Sequence, residues 1–215
     1  IHAASANQAD FDHARLEDGR LVRWYMDPLF HGRYPADVLE FLGADAPRIE
    51  AGDMAAIATP MEFLGINYYS RSVASADGSW RAGGSGLALT DMGWEIYPSG
   101  LTELLLRLHR DWAVPPLYVK ENGAAFRDEL VDGAVHDPER VAYLAAHIAA
   151  VGDALAQGVP MAGYMVWSLL DNFEWALGYG MRFGLIYVDY ATLARTIKDS
   201  GRWYSQVIAA NGLLA

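Results

Sequence analysis

A single carboxylate, Glu121, stands at the end of a short apolar run in residues 117–123. Residues 117–119 favour a buried β-strand. The pair that follows Glu121, Asn122-Gly123, favours a turn because both residues tolerate positive φ angles. Glu121 is therefore predicted to lie at the carboxyl end of a strand, where parallel α/β folds bind ligands. One acid is only a candidate, and its chemistry depends on the side chains around it.

A second group of polar and aromatic side chains follows a later apolar run. Residues 168–184 contain two carboxylates, one amide, one arginine and four aromatic rings. Buried carboxylates need compensating partners. Aromatic faces beside carboxylates suit sugars, because a pyranose offers apolar C–H faces to a ring and hydroxyl donors to a carboxylate. The alternative is a structural loop with surface acids and buried rings.

The elements that must position these groups alternate between strands and helices. Apolar runs predict strands at residues 63–67 and 161–167, besides the one that ends at Glu121. Apolar residues at helical spacing predict helices over residues 99–112, 137–157 and 199–210. This order indicates a parallel β-α-β architecture, open or closed.

Finer predictions concern caps, faces and connections. Ser99 is the predicted N-cap of the first of these helices. The predicted core-facing stripes are Leu101, Leu104, Leu105, Leu108 and Trp112 in that helix, and Val141, Leu144, Ala145, Ile148 and Leu155 in the next. Earlier in the chain we predict a short helix at residues 9–16, a turn at 18–19 and a helix that ends near 27–28. Residues 70–93 are predicted to form a long loop with at most short hairpin strands.

Composition and charge exclude several classes of function. The chain has 215 residues and a formal net charge of -11, whereas nucleic acid and anionic membranes attract basic proteins. No apolar stretch reaches the roughly 18 residues of a membrane span, and no signal-peptide pattern is present, so we expect a cytoplasmic protein. Cysteine is absent and the six histidines are scattered, so no metal site is expected. Because the first residue is Ile1 rather than Met, we expect the chain to begin inside a longer protein.

Five motifs carry a family resemblance: EFLGINYY at residues 62–69, MGWE at 92–95, YVKENG at 118–123, GYMVWSLLDNFEW at 163–175 and KDS at 198–200. Together they resemble glycoside hydrolase family 1, the β-glucosidases and their relatives, over essentially the whole chain. Three residues depart from the family pattern. Glu62 stands where an aspartate is more common, Lys120 where a small polar or β-branched residue is common, and Ile197 where proline is usual.

The resemblance implies a retaining β-glycosidase on a (β/α)8 barrel, with no metal or organic cofactor. It matches Glu121 to the catalytic nucleophile, which attacks the anomeric carbon and forms a covalent glycosyl-enzyme. It matches Tyr69 to the tyrosine that hydrogen-bonds this nucleophile, with Asn67 beside it. Lys120 need not enter the pocket, because neighbouring strand residues point to opposite faces.

The resemblance also implies a pocket for the terminal sugar. Glu174 and Trp175 match residues that bind its outer hydroxyls, and Trp167 matches the ring beneath it. Phe183 matches a further wall, and Trp94 an aromatic residue on the leaving-group side. The alternative for each residue is structural packing, which competes more strongly for Phe183 and Trp94.

Half of the catalytic machinery is missing from this sequence. Retaining hydrolysis uses two carboxyl groups about 5–5.5 Å apart, and in this family the acid/base glutamate lies upstream in an Asn-Glu-Pro motif. No Asn-Glu-Pro occurs here. The three predicted strands match the sixth to eighth of the barrel, so residues 1–215 are expected to be the C-terminal portion of a single domain, with no second domain. We expect the missing N-terminal half as a partner and little or no hydrolase activity from the isolated chain.

The expected substrate is a β-glucoside or oligosaccharide with a terminal, non-reducing β-linked glucosyl or related residue. One alternative is a phospho-β-glycosidase of the same fold, but an acid at Glu174 would repel a sugar phosphate. Another is a non-catalytic carbohydrate-binding fragment, which would keep the aromatic residues without needing Glu121. Hydrolysis and transglycosylation share the covalent intermediate, so the sequence does not separate them.

Overall fold

The computed structural model describes residues 1–80 and 82–213. In these residues no helix is both long and apolar enough to cross a membrane. The α-helices, in chain order, are α1 (Gln8–Asp18), α2 (Trp24–His31), α3 (Ala36–Leu42), α4 (Asp53–Ile57), α5 (Pro98–Trp112), α6 (Pro138–Ala156) and α7 (Asp199–Ala210). The strands are β1 (His2–Ala3), β2 (Leu64–Asn67), β3 (Val73–Ala74), β4 (Leu117–Glu121), β5 (Met161–Tyr164), β6 (Ile186–Val188) and β7 (Arg195–Ile197).

The central sheet contains three parallel strands in the order β2-β4-β5. Helix α5 connects β2 to β4, and α6 connects β4 to β5, because parallel neighbours need long crossover connections. Leu64 pairs with Leu117 at one end of the first strand pair, and Asn67 pairs with Glu121 at the other. The predicted parallel β-α-β order is therefore confirmed, and Glu121 ends its strand as predicted.

The main hydrophobic core lies between this sheet and helices α5 and α6. Members from α5 and β4 that are at most 2% exposed are Leu101, Leu105, Leu108, Leu117 and Val119. Leu101, Leu105 and Leu108 confirm the predicted core-facing side of α5. The predicted N-cap is wrong, since α5 begins at Pro98 and Tyr97 rather than Ser99 occupies the cap position. Proline favours the first helical position because its φ angle is already helical.

The buried face of α6 overlaps only in part with the face that its apolar spacing predicts. Leu144 of the predicted stripe is fully buried, whereas Val141, Ala145 and Ile148 are half-buried. The buried residues of α6 are Arg140, Tyr143, Leu144, His147, Ala150 and Ala154. Leu155, from the predicted stripe, is instead 56% exposed. The buried face can include an arginine because two aspartates, contributed from outside the helix body, neutralise it inside the protein.

The helical region from residue 8 to residue 31 corrects two further predictions. A π-helical segment, Gly19–Arg23, continues α1 into α2 where the sequence predicts a turn. A Cβ atom on the first residue of that segment would come within 2.5 Å of Val38, so this glycine serves close packing rather than a turn. Helix α2 continues through Pro28 and ends at His31. The residue that follows, Gly32, caps it with a φ of 62°, which suits glycine.

Short strands account for the remaining differences. β1 pairs with β3 in parallel, and β6 pairs with β7 antiparallel. Strands of two or three residues carry too little periodicity to be predicted, and β3 lies inside the predicted long loop over residues 70–93. Strand β5 ends at Tyr164 rather than at Trp167, so the last three predicted strand residues belong to the loop that follows it.

Candidate active site

Glu121 lies where β4 ends, beside the end of β2. It pairs with Asn67 of β2, and its carbonyl oxygen accepts a hydrogen bond from the Tyr68 amide at 2.9 Å. The next residue, Tyr69, reaches the Glu121 side chain. The Tyr69 hydroxyl donates to Glu121 Oε2 at 2.7 Å. The strand register thus places Asn67 opposite Glu121, and the Tyr69 phenol contacts the carboxylate from just beyond the end of β2.

The hydrogen bond between Tyr69 and Glu121 has a defined direction. Burial raises the pKa of the Tyr69 phenol well above its ordinary value, and the hydrogen bond to the Glu121 carboxylate raises it further. The phenol therefore stays protonated at neutral pH, and its O–H group donates the hydrogen bond to the carboxylate. The negative charge of Glu174 adds to the same rise in the pKa of Tyr69, so a second carboxylate acts on this site.

Two aromatic rings pack beside Tyr69. The Trp94 ring lies 5.4 Å from the Tyr69 ring between centroids, and the Phe183 ring lies 6.1 Å from it. Trp94 and Phe183 are 6.3 Å apart. Phe183 is only 3% exposed, whereas Trp94 is half-buried. The three rings form one aromatic group next to the Glu121 carboxylate.

A buried ion pair that the sequence did not single out holds the segment that carries Trp94. Glu95 is 2% exposed, and its carboxylate receives a hydrogen bond from Arg71 Nε at 2.7 Å. The Ser70 hydroxyl donates to the Glu95 carbonyl at 2.7 Å. Ser70 and Arg71 directly follow Tyr69, so these contacts tie the segment of Trp94 to the segment of Tyr69.

The loop after β5 carries the other predicted sugar-binding residues. The Trp167 amide donates to the Asn122 carbonyl at 3.0 Å, which places Trp167 beside the residues that follow Glu121. The turn predicted at Asn122-Gly123 is wrong, since neither residue has a positive φ angle, and Gly123 instead allows the Trp167 carbonyl to approach closely. Glu174 is half-buried. Trp175 is 81% exposed, and its φ of 44° lies in the left-handed region that bulky residues rarely adopt. Trp175 therefore presents its ring to solvent rather than to the core.

Buried ion pairs hold this loop through Asp171. Asp171 accepts from Arg182 at 2.5 Å and from Lys198 at 2.8 Å. Lys198 also donates to Asp128 at 2.5 Å, and Arg140 forms two hydrogen bonds of 2.9 Å with the same aspartate. The side chains of Asp128, Asp171, Arg140 and Lys198 are at most 1% exposed. Burial, and then the nearby Arg140 charge, lowers the pKa of Lys198.

Arg140 connects this charged cluster to the aromatic group. Its Nη2 donates to the carbonyl of Arg182, the residue before Phe183, at 2.8 Å, and its Nε donates to the carbonyl of Ala124 at 3.3 Å. Arg140 is not among the residues predicted from the sequence. The available signal was its helical spacing from Tyr143 and Leu144, which places an arginine on an otherwise buried face.

The arrangement brings most of the predicted residues to one region. Tyr69, Glu121, Trp94 and Phe183 form a contiguous group, and Glu174 acts on that group through its charge. Asn67 and Trp167 are connected to it through the main chain, and Trp175 lies one residue beyond Glu174. Among the described residues no cluster of potential metal ligands occurs. A carboxylate oriented by a phenol beside aromatic rings can act as a nucleophile or base toward a ligand with apolar faces.

Comparison with known proteins relates the chain to one enzyme family. The model of Glycosyl hydrolase family 1 matches residues 3–213. The chain is 45% identical over 211 residues to beta-glucosidase A of Thermotoga maritima, covering 92% of this chain and 47% of that protein. It is 40% identical to beta-glucosidase A of Acetivibrio thermocellus, covering 98% of this chain and 49% of that protein. The chain spans about half the length of the curated relatives it matches.

Solved structures give the same relationship. The fold matches a family 1 β-glucosidase from Thermotoga maritima with a TM-score of 0.92 and 41% identity, over 100% of this chain and 49% of that chain. A β-glucosidase from the same organism in complex with deoxynojirimycin also matches with a TM-score of 0.92 and 41% identity, over 99% of this chain and 49% of that one.

Proposed function

The chain belongs to glycosyl hydrolase family 1, and we propose that it forms the nucleophile-bearing half of a retaining β-glucosidase-type enzyme. The observation that carries the proposal is the hydrogen bond of 2.7 Å between the Tyr69 phenol and Glu121 Oε2, beside an aromatic group at the ends of two parallel strands. The names of the relatives, which are β-glucosidases, support the choice of reaction.

Residues 1–215 form the C-terminal portion of one (β/α)8 domain, with β2, β4 and β5 as its sixth, seventh and eighth strands. The parallel order of these strands supports this assignment, as do the alignments that cover about half of each relative. In the described sheet β2 and β5 each have one paired neighbour, whereas a closed barrel pairs every strand on both sides. The N-terminal half of the barrel is therefore the partner that completes the sheet.

The proposed reaction proceeds by double displacement. In the first step a Glu121 carboxylate oxygen forms a bond to the anomeric carbon, the glycosidic C–O bond breaks, and a second carboxyl group protonates the leaving oxygen. In the second step that group removes a proton from water, and the water oxygen displaces Glu121 from the anomeric carbon. Tyr69 holds one carboxylate oxygen of Glu121 in place during both steps. The second carboxyl group, the acid/base, comes from the N-terminal half.

The substrate is a β-glucoside or oligosaccharide with a terminal, non-reducing glucosyl or related residue. Glu174 and Trp175 bind its outer hydroxyls, Trp167 supplies a ring beneath the sugar, and Trp94 lines the leaving-group side. Asn67 hydrogen-bonds the sugar beside Glu121, and Phe183 closes the wall behind Tyr69. The charge of Glu174 opposes a phosphorylated sugar, so a phospho-β-glycosidase is not favoured.

Trapping with an activated 2-deoxy-2-fluoro-β-glucoside tests the proposal in the full-length protein. The fluorine slows both steps and the good leaving group restores the first, so the covalent intermediate accumulates. We expect a single adduct on the peptide that contains Glu121, and none in Glu121→Gln. Sugar binding with no adduct would instead support a non-catalytic carbohydrate-binding protein. Faster turnover of 6-phosphoglucosides than of glucosides would overturn the assigned substrate.

The division of the active site between two halves has its own test. The purified 215-residue chain should hydrolyse an aryl β-glucoside little or not at all, because it lacks the acid/base. Measurable turnover by this chain, abolished in Glu121→Ala, would show that the division is wrong. A Glu121→Ala control is needed because trace glycosidase contamination would survive that substitution.

A further inference from the structure

Asn122, the residue after Glu121, is fully buried, and its side-chain amide contacts three tyrosines from three segments. Its Nδ2 donates to the Tyr68 carbonyl at 2.7 Å and to the Tyr143 hydroxyl at 3.2 Å. Its Oδ1 accepts a hydrogen bond from the Tyr164 hydroxyl at 2.5 Å. The contacts define the orientation of the amide, because the reversed orientation would bring its oxygen against the Tyr68 carbonyl oxygen.

Tyr143 extends this cluster to the residue that contacts Glu121. Its hydroxyl donates to the Tyr69 main-chain carbonyl at 3.0 Å, and the residue is 1% exposed. Tyr69 is thereby held at two points, its main chain by Tyr143 and its phenol by Glu121. The last backbone hydrogen bond between the β2 and β4 segments in the described residues starts from the Tyr68 amide. Beyond it, side chains rather than the sheet set the position of Tyr69.

We infer that Asn122 and Tyr143 are positioning residues that hold the Tyr69 phenol against Glu121, so that the carboxylate keeps its orientation toward the sugar. The inference rests on the proposed function, because it requires Glu121 to react. A purely structural role for the same cluster would lower stability without any dependence on Tyr69. The two roles are separated by asking whether loss of the Tyr143 hydroxyl acts through Tyr69.

A double-mutant cycle in the full-length enzyme answers this question. Tyr143→Phe removes one hydroxyl and keeps the ring that stacks on His147 at 3.9 Å. We expect kcat for an aryl β-glucoside to fall about fivefold to tenfold with KM little changed, because nucleophile orientation matters in the transition state. In a Tyr69→Phe background the same substitution should cause no further loss. Tyr204→Phe is the matched control, since it removes a hydroxyl that donates to the Tyr164 carbonyl at 3.0 Å and should keep the wild-type kcat.

Two results would overturn the positioning role: equal kcat values in Tyr143→Phe and Tyr204→Phe, or the same fold loss with and without Tyr69. If Tyr143→Phe does not fold, Tyr164→Phe replaces it. This variant removes only the donor to Asn122 Oδ1 and should give a smaller loss with the same dependence on Tyr69. A wild-type enzyme without turnover would refute the proposed function instead. NMR of the Tyr69 hydroxyl proton, which donates to Glu121, then decides the positioning role, since its chemical shift should change in Tyr143→Phe and stay unchanged in Tyr204→Phe.

Discussion

The buried imidazole of His147, on α6, allows a quantitative prediction of how the free energy of unfolding depends on pH. The residue is fully buried, and its ring stacks on Tyr143 at 3.9 Å and lies 5.9 Å from the ring of Tyr68. Its Nδ1 lies 2.7 Å from the Tyr143 carbonyl, so this nitrogen carries the proton and donates. Its Nε2 has no hydrogen-bond partner in the described part of the chain. Burial lowers the pKa of His147 from 6.5 to about 4.

The magnitude follows from the different protonation of the folded and unfolded states. At about pH 4.5 an unfolded imidazole with a pKa of 6.5 is almost fully protonated, whereas a folded-state pKa of about 4 leaves the imidazole mostly neutral. The unfolded state therefore binds more protons, and stability falls as the pH falls. Between pH 7 and pH 4.5, His147 should lower the free energy of unfolding by about 2 kcal/mol. The facing phenols of Tyr68 and Tyr143 are neutral in this range, since the ordinary pKa of a phenol is 10.0 and burial raises the pKa of each further.

Urea unfolding at both pH values, in wild type and His147→Phe, measures this contribution. His147→Phe keeps a ring against Tyr143 and removes the titrating group, so its pH dependence should be smaller than that of wild type by about 2 kcal/mol. His109→Gln is the control, because His109 is exposed on α5 and water surrounds it in both states. Equal pH dependence in wild type and His147→Phe would refute the reasoning. An NMR titration of the His147 imidazole with a midpoint near 6.5 in the folded protein would refute it as well.

Two further predictions concern the free energy of unfolding, and each compares a substitution at a crowded or buried position with one at an open or exposed position. Gly123→Ala should lower the free energy of unfolding by about 3 kcal/mol, since its Cβ would lie 1.7 Å from the Trp167 carbonyl oxygen. Gly152→Ala, inside α6 with open space around it, should raise the same free energy by about 1 kcal/mol. Arg140→Met removes the cation that pairs with two buried aspartates, of which Asp128 keeps Lys198 as a partner, and should cost about 3–5 kcal/mol in urea unfolding. Arg110→Ala removes an exposed ion pair and should leave the urea midpoint unchanged, so equal midpoints in both arginine variants would contradict the argument.

The sequence predicts the elements whose signals are local. Strand β4 is predicted by a continuous apolar run, and helix α5 by an apolar stripe. Both predictions succeed because the core-facing side chains of these two elements are apolar. Helix α6 shows the limit of this reasoning. Its buried face contains Arg140 and His147, and burial of an arginine depends on partners such as Asp128 from a distant segment. The periodicity of apolar residues therefore predicts only part of the buried face, which shares Leu144 with the predicted stripe. The family motifs predict roles for Glu121 and Tyr69, but no motif spacing predicts the polar contacts of Tyr143 with Asn122 and with the Tyr69 carbonyl.

Helix α6 connects the two parts of the proposed site. Tyr143 holds the main chain of Tyr69, and Arg140, three residues earlier on the same buried face, holds the main chain next to Phe183. Residues three apart on a helix lie side by side, so a shift of α6 would move the partner of Glu121 and the aromatic wall together. The two contacts belong to different clusters, one of neutral hydroxyls and amides and one of charges. Because both clusters include residues of one helix, we expect the relative position of the proposed nucleophile and the proposed sugar pocket to depend on α6 rather than on either loop alone.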